Sequence, residues 1–486
     1  MRADTPAYDL DVRTDEKRIR AALADAAHTP FWLEDPGRPA TEPWFTGATE
    51  TDLLVIGGGY CGLWTALQAK ERNPDRDVVL VESAEIGWAA SGRNGGFVEA
   101  SLTHGPENGR RYFAQDLDVL GGLAGENFGD FRDTLLRHGI DAEYQPGGGL
   151  SVATEPHQVE ALRRSAAPLP KPGLSVGGAA GAVFYDRDQL TELVRSPLYR
   201  AGVFRQDGVA LVHPAKLVWG LKAACKKLGV RVHEHTPVTA LTDQGATVRA
   251  RTGNGIIRAR RVALATNGFP SLLKRNRMLT LPVYDYALMT EPLTGSQMAE
   301  IGWRRPFGIS DTSRQFHYYR KTADNRILWG GYDAVYHRGG AIVPDNDQRP
   351  ETFDRLADHF LRTFPQLGDV RFTHAWGGMI DMSSQLAAFQ GVTMGGKVAY
   401  SSGFTGLGVA ATRFAGAVML DLLAGRDTPR TRLRMASKRP LPILPEPFRY
   451  PAVQLIRRAI ARADRNGGRD GVILKAANRL GFSFDS

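Results

Sequence analysis

Residues 51–62, TDLLVIGGGYCG, constrain the fold more than any other stretch of the chain. Leu53–Ile56 reads as a short buried strand. Gly57, Gly59 and Gly62 then supply G-x-G-x-x-G, and LWTALQAK continues with helical composition. The first glycine allows a tight strand-to-helix turn and the second lets backbone approach a pyrophosphate. The third lets helix and strand pack closely, while the helix N-terminus offers free N–H groups to the anion. The next apolar run, VVLVE, ends in Glu82, 25 residues after Gly57. That is near the spacing at which a carboxylate takes a ribose hydroxyl pair. Strand, glycines, helix, second strand and terminal Glu together imply a Rossmann-like, dinucleotide-binding α/β unit.

The segment after Glu82 narrows the dinucleotide. SAEIGWAASGRNGGF holds Gly87, Gly92, Gly95 and Gly96. A nicotinamide domain has no use for such a loop, whereas an isoalloxazine ring must lie against bare backbone. A second Gly-rich turn, with Gly403, Gly406 and Gly408, precedes the Ala-rich AATRFAGAVML. A helix N-terminus there would meet the partial negative charge of a reduced flavin. Between them RVALATNGF reads as a strand running into a turn beneath the cofactor.

The segments VIGGGYCGLWTA, ASGRNGGF, VHPAKLVWGL, ATNGF, HYYRKTADNRILWGG, HAWGG and GFTGLGVA occur in this order from about Thr51 to Gly425. In them the chain resembles the D-amino-acid oxidase (DAO) superfamily of FAD-dependent oxidoreductases, on the amine-oxidase branch typified by gamma-glutamylputrescine oxidoreductase. The resemblance implies FAD, a discontinuous cofactor domain and oxidation of a C–N bond. The FAD is expected to be non-covalent because Ala89 stands where some relatives have an attachment histidine and neither cysteine lies where others have theirs. Motifs and resemblance together assign the cofactor to Gly57, Gly59, Tyr60, Cys61, Gly62, Glu82 and Ser83, and to Ser91, Gly92, Arg93, Asn94, Gly95 and Gly96. They add Val238 near the adenine, then Ala265, Thr266 and Gly268, and finally Gly403, Thr405, Gly406, Leu407, Gly408 and Val409.

With 486 residues, 42% of them hydrophobic, the chain can bury a large core divided into two or three lobes. Its two cysteines, Cys61 and Cys225, form no CxxC and point to a reducing compartment without a structural metal. His233 and His235 flank Glu234 without a third ligand, so no metal site is expected there. The first twenty residues lack an apolar h-region and no run of eighteen apolar residues follows, so the expected address is cytoplasmic.

The expected organisation is an N-terminal arm over 1–50 and an FAD-binding domain over 51–105, 190–273 and 370–426. An α+β substrate domain with a mixed or antiparallel sheet takes 106–189 and 274–369, and a basic helical extension takes 427–486. The arm's FWLEDPGRPATEPWF is expected to be irregular because of its prolines. From Arg426 onward, 14 basic residues against 5 acidic ones account for the whole formal net charge of +9. There Ile456, Ile460 and Ala463 share one side of a helix, with Arg458, Arg462 and Arg465 opposite. A packing helix with a solvated basic face is the favoured reading. A membrane-surface or partner contact is the alternative, and the absence of interleaved aromatics counts against nucleic acid.

The substrate site carries less signal. In a strand reading of RQFHYYRKTADNRILWGG, His317, Tyr319 and Lys321 share one face and Phe316, Tyr318 and Arg320 the other. The resemblance favours the second set: Tyr318 lines the pocket, Arg320 anchors an anion, and His317 sits at the rim. His104 and Trp376 are the candidate substrate-binding residues. Two departures from the family pattern matter. Trp376, Gly377 and Gly378 stand where α-amino-acid oxidases carry a carboxylate-clamping arginine. Leu328 stands where sarcosine-type relatives place an oxygen-activating lysine, which leaves the acceptor open between O2 and another oxidant. Ala89 replaces an attachment histidine, and SSQLAAF after HAWGGMIDM has no counterpart in the pattern.

The expected function is therefore oxidation of a primary or secondary amine to an imine that hydrolyses to a carbonyl. Gamma-glutamyl diamines and aminophosphonates are within reach. The alternatives are a flavoenzyme acting on modified tRNA and a non-catalytic flavin-binding interaction protein.

Overall fold

The computed structural model describes residues 6–8, 14–166, 181–479 and 481–482. Most of the loop-like PLPKPGLSVGGAAGAV stretch lies outside the described residues. Two eight-stranded sheets carry the architecture. In the first, Val398–Ser402, Gly255–Leu264, Gly47–Ile56, Val78–Val81 and Arg231–His233 lie side by side in parallel. Phe389–Thr393 pairs antiparallel at one edge, and Val238–Asp243 with Val248–Thr252 forms an antiparallel flap on the start of Gly255–Leu264.

The parallel strands are apolar because both faces are covered. The helix Tyr60–Arg72, buried from Tyr60 to Lys70, packs against the helices Pro214–Lys227 and Ala411–Leu423. A Cβ on Gly416 would lie 3.0 Å from the Thr65 hydroxyl, so glycine sets the spacing of two of these helices. Leu63, Trp64 and Leu67 are completely buried in this layer. Each contributes about 1.5–3 kcal/mol by leaving water.

The second sheet runs Phe372–Ser383, Thr280–Thr290, Ile327–Gly331, His317–Lys321, Gly308–Asp311, Gly149–Ala153, Ala201–Arg205 and Ala182–Asp186. All its pairings are antiparallel except Gly308–Asp311 with Gly149–Ala153. One face packs on the amphipathic helix Pro350–Thr363, which buries Phe353, Leu356, Phe360 and Leu361. The other face meets the flavin loop.

Sheet membership corrects the expected boundaries. Ala201–Arg205 and Phe372–Ser383 belong to the second sheet, although they fall within 190–273 and 370–426, the ranges expected for the cofactor domain. The N-terminal arm is also more regular than its prolines suggest. It holds a helix at Glu16–Leu23 and a 3-10 turn at Phe31–Glu34, and the first strand begins within it at Gly47. Glu234, fully buried, ties the arm down by accepting hydrogen bonds from Lys222 Nζ (2.6 Å) and the main-chain N–H of Glu42 (2.5 Å).

The C-terminal helix Arg449–Arg465 lies on the substrate lobe. Arg457 reaches Asp333 at 3.3 Å, and Asp464 accepts from the N–H groups of Arg314 and Gln315. Ala463 is buried, Ile456 and Ile460 are half-buried, and Arg458, Arg462 and Arg465 are exposed, as the periodicity predicts. Among the described residues no helix is long and apolar enough to cross a membrane.

Candidate active site

The C-terminal ends of the parallel strands converge on one cleft of about 270 Å³, where an open α/β sheet places its ligands. At the first strand end Gly57 has φ +113°, and a Cβ on it would strike the Ala265 carbonyl. A Cβ on Gly62 would fall on the Gly57 carbonyl, so turn and helix can close only with glycine at both positions. The helix at Tyr60 has no side-chain cap at Gly59, although the Tyr60 N–H donates to Ser91 Oγ at 2.9 Å. Glu82 is buried at the second strand end. It accepts from the Gly58 N–H (2.6 Å), Ser83 Oγ (2.9 Å) and Trp88 Nε1 (3.1 Å).

Of the sequence-assigned cofactor residues, Gly57, Gly59, Tyr60, Cys61, Glu82, Ser83, Ser91, Asn94, Val238, Ala265, Thr266, Gly406, Gly408 and Val409 line this cleft. Others shape it from behind. A Cβ on Gly92 would strike the Gly87 carbonyl, and one on Gly268 would press on Met379. Asn94 holds the flavin loop by donating to the Ala90 carbonyl (2.9 Å) and accepting from the Gly96 N–H (2.8 Å). Arg93 ties that loop to the second sheet through Asp347 and the Gly377 carbonyl. The helix Ala411–Leu423 has no side-chain cap at Ala410, and the turn before it, Gly403 to Val409, contributes four cleft residues. Uncapped N-termini, a bare glycine floor and a carboxylate 25 residues on fit a dinucleotide and not a smaller group.

Several residues escaped the sequence reading. Trp88, Thr236, Pro237, Asn267, Phe269, Pro270 and Asp381 also line the cleft. Asp381 is buried and accepts from the main-chain N–H groups of Gly403 and Phe404 (2.9 Å for the second). Burial pushes its carboxyl up to about 7. The unexplained SSQLAAF forms the adjoining turn. Ser383 Oγ donates to the Ala387 carbonyl at 2.8 Å, and the Ser383 N–H donates to Thr405 Oγ1 at 3.1 Å. His104 lies on the other side of Thr405, its Nε2 2.7 Å from that residue's carbonyl. Burial keeps its imidazole below the usual range. Its bond supports the flavin-side turn.

The roof over the flavin loop is the second sheet. Tyr318 is on the face predicted for it. Its ring lies 2.8 Å from where a Cβ on Gly95 would be, edge-on to Phe97 at 5.9 Å. The ring also crosses the neighbouring strand above Gly330, where a Cβ would come within 2.6 Å of its Cζ. That gap lets the phenol reach the next strand but one and donate to Asp285 Oδ2 at 2.7 Å. Burial raises the Asp285 carboxyl to about 6. Burial and then Asp285 hold the Tyr318 phenol well above its usual range.

Three expectations need correction. His317 is on the opposite face, fully buried, with Nδ1 3.0 Å from Asp311 Oδ2 and Nε2 3.0 Å from His359 Nδ1. It belongs to the packing behind the sheet and not to a pocket rim. Arg320 shares the Tyr318 face but is sealed at 1% exposure, donating to the Val212 carbonyl at 2.5 Å beneath Trp32. Val212 in turn donates to the Gly96 carbonyl, so this arginine braces the flavin loop. Trp376, also 1% exposed, donates from Nε1 to the Arg93 carbonyl at 2.9 Å and anchors the same loop.

Comparison with known proteins agrees with this geometry. The DAO model, FAD dependent oxidoreductase, matches residues 52–422. Gamma-glutamylputrescine oxidoreductase of Escherichia coli is 31% identical over 382 residues, covering 77% of this chain and 84% of that protein. The probable oxidoreductase OrdL of Haemophilus influenzae is 26% identical over 404 residues, covering 82% and 88%. Among solved structures, glycine oxidase from Geobacillus kaustophilus superposes with a TM-score of 0.63 at 16% identity, covering 78% of this chain and 96% of that one.

Proposed function

Because the chain belongs to the DAO family of FAD-dependent oxidoreductases, we propose that it oxidises the carbon–nitrogen bond of a primary or secondary amine that carries no α-carboxylate. One observation supports this reading most. Arg93 and Arg320, which touch the flavin loop, are committed to protein groups, Asp347 and the Val212 carbonyl, while the facing sheet carries Tyr318 and Asp285 half-buried. An α-amino-acid oxidase needs a cation free to clamp carboxylate in two-pronged fashion. Likeness to the E. coli relative puts gamma-glutamyl diamines first among the candidates.

FAD, when bound, supplies the two-electron acceptor for the substrate's α-hydrogen. The chain's own work is to hold and orient. Gly57, Gly59 and the uncapped helix at Tyr60 would hold the pyrophosphate, and Glu82 the ribose. The Gly403–Val409 turn, buttressed by Asp381 and His104, would help hold the flavin. The Tyr318 ring packs directly on the backbone of Gly95, so the second sheet would fix where an amine could be oriented beside the cofactor.

The test is anaerobic mixing of the purified yellow protein with a panel of amines while the flavin band is followed. Bleaching by diamines or their gamma-glutamyl derivatives is expected. A protein that holds FAD but is bleached by no amine would refute the reading and favour the tRNA or non-catalytic alternative.

A further inference from the structure

Asp285 has no counter-charge. Its oxygens accept from the Tyr318 phenol, from the Tyr286 N–H at 2.9 Å and from the Gly331 N–H, and among the described residues no lysine, arginine or histidine pairs with it. It is nevertheless a partly buried carboxylate on the roof of a flavin cleft. A buried charge of this kind is costly unless something compensates it. The sheet turns it toward the cleft: its register partner Gly378 lies two residues from Ile380, on the same face of that strand, and Ile380 lines the cleft. Gly330 makes room for the Tyr318 ring that reaches it, and the Arg93 side chain lies over Gly378. The charged groups around it are arranged asymmetrically. Asp333, beyond Gly331, is already held by Arg349, Arg355 and Arg457, and Arg93, across Gly378, is held by Asp347.

Building on the amine reading above, we propose that the Asp285 carboxylate, positioned by Tyr318, binds the substrate's ammonium group and takes its proton before the carbon–nitrogen bond is oxidised. An N–H bond breaks, an O–H bond forms on Asp285, and the freed nitrogen lone pair is what allows the α-hydrogen to leave with its electrons. In water the proton would stay on the amine by several pK units. Between two desolvated groups the balance shifts, because burial penalises carboxylate and ammonium alike and favours the neutral pair. The site thus selects cationic amines, and its capacity to bind them appears as pH rises through the Asp285 titration near 6.

The experiment titrates FAD-loaded protein with butyltrimethylammonium, which has no N–H to give up and forms no imine, and reads the perturbation of the flavin band from pH 5 to 8. Saturable binding that strengthens through about pH 6 is expected. Asp285→Asn should weaken it about 10- to 100-fold at pH 7.5. Tyr318→Phe keeps the carboxylate but removes the donor that stabilises its charge, so its midpoint should move upward. Equal affinity in Asp285→Asn, or a pH response that survives it, overturns the proposal. Asp285-dependent binding in a protein that no amine reduces would keep the cation site and remove the oxidase reading. Should Asp285→Asn lose its flavin, an unmoved midpoint in Tyr318→Phe is the overturning result.

Discussion

On the floor of the cleft, Gly57, Gly59 and Gly62 act within a single strand-to-helix turn. On its roof, Tyr318 and Asp285 meet across a third strand and 33 residues of chain. The floor recognises by backbone: N–H groups, a helix end, and the absence of Cβ atoms. The roof recognises by side chains whose chemistry depends on what lies beside them. The floor serves a cofactor whose shape does not vary, so a rigid main-chain mould suffices. On the proposed reading the roof distinguishes amines with one carboxyl shifted by burial and one phenol that orients it.

The largest effect expected falls on the floor. Gly62→Ala puts a methyl into the Gly57 carbonyl, so the protein should purify colourless, with FAD affinity reduced by at least about 100-fold, read from the ratio of flavin to protein absorbance. Retained flavin would mean that the turn is more plastic than its geometry allows. Next comes the roof. Gly330→Ala should push Tyr318 away from Asp285 and slow anaerobic reduction about 10- to 100-fold while flavin content stays normal. Loss of flavin there would blur the division between floor and roof.

A sharper cut uses Arg320. Because it braces Gly96 through Val212 and is sealed from the cleft, Arg320→Gln should loosen FAD about 10-fold and leave the KM for amines unchanged. A rise in KM alone would restore it as a substrate anchor. The smallest effect is on stability. The folded-state pKa of Asp285 is raised, so its ionisation opposes folding as pH climbs from about 4 to about 6, and the penalty is fully present above that window. Asp285→Asn should therefore gain on the order of 1–3 kcal/mol at pH 8 and nothing at pH 3.5, measured by denaturant unfolding of the two proteins side by side.

The same contrast explains what could be read from the sequence. The floor was legible because its determinants are close in sequence: glycines at fixed offsets, a strand, a helix, and Glu82 at the end of the next strand. The second sheet was legible only in part. Alternation along HYYRK separated Tyr318 from His317 correctly, yet it could not show that Asp311 and His359 enclose the histidine behind the sheet. Nor could it show that Trp32, 288 residues upstream of Arg320, closes over the guanidinium. Asp285 sits in PVYDYALM with no motif around it. Its significance comes from strand order, which places Gly330 and then Tyr318 beside it, and nothing local encodes that order. Asp381 was passed over for a similar reason, since its partners Gly403 and Phe404 lie more than twenty residues on.

The central claim is that this flavin site recognises a substrate's nitrogen and not an α-carboxylate. Its most direct test is a stopped-flow comparison of anaerobic flavin reduction by matched pairs, putrescine against ornithine and gamma-glutamylputrescine against gamma-glutamylornithine, each pair differing by one α-carboxylate. The account predicts that the member without the carboxylate bleaches the flavin faster in both pairs, by at least about 100-fold in kcat/KM, as expected where an unpaired anion must be buried beside Asp285. Equal rates, or faster reduction by the carboxylated member, would contradict it.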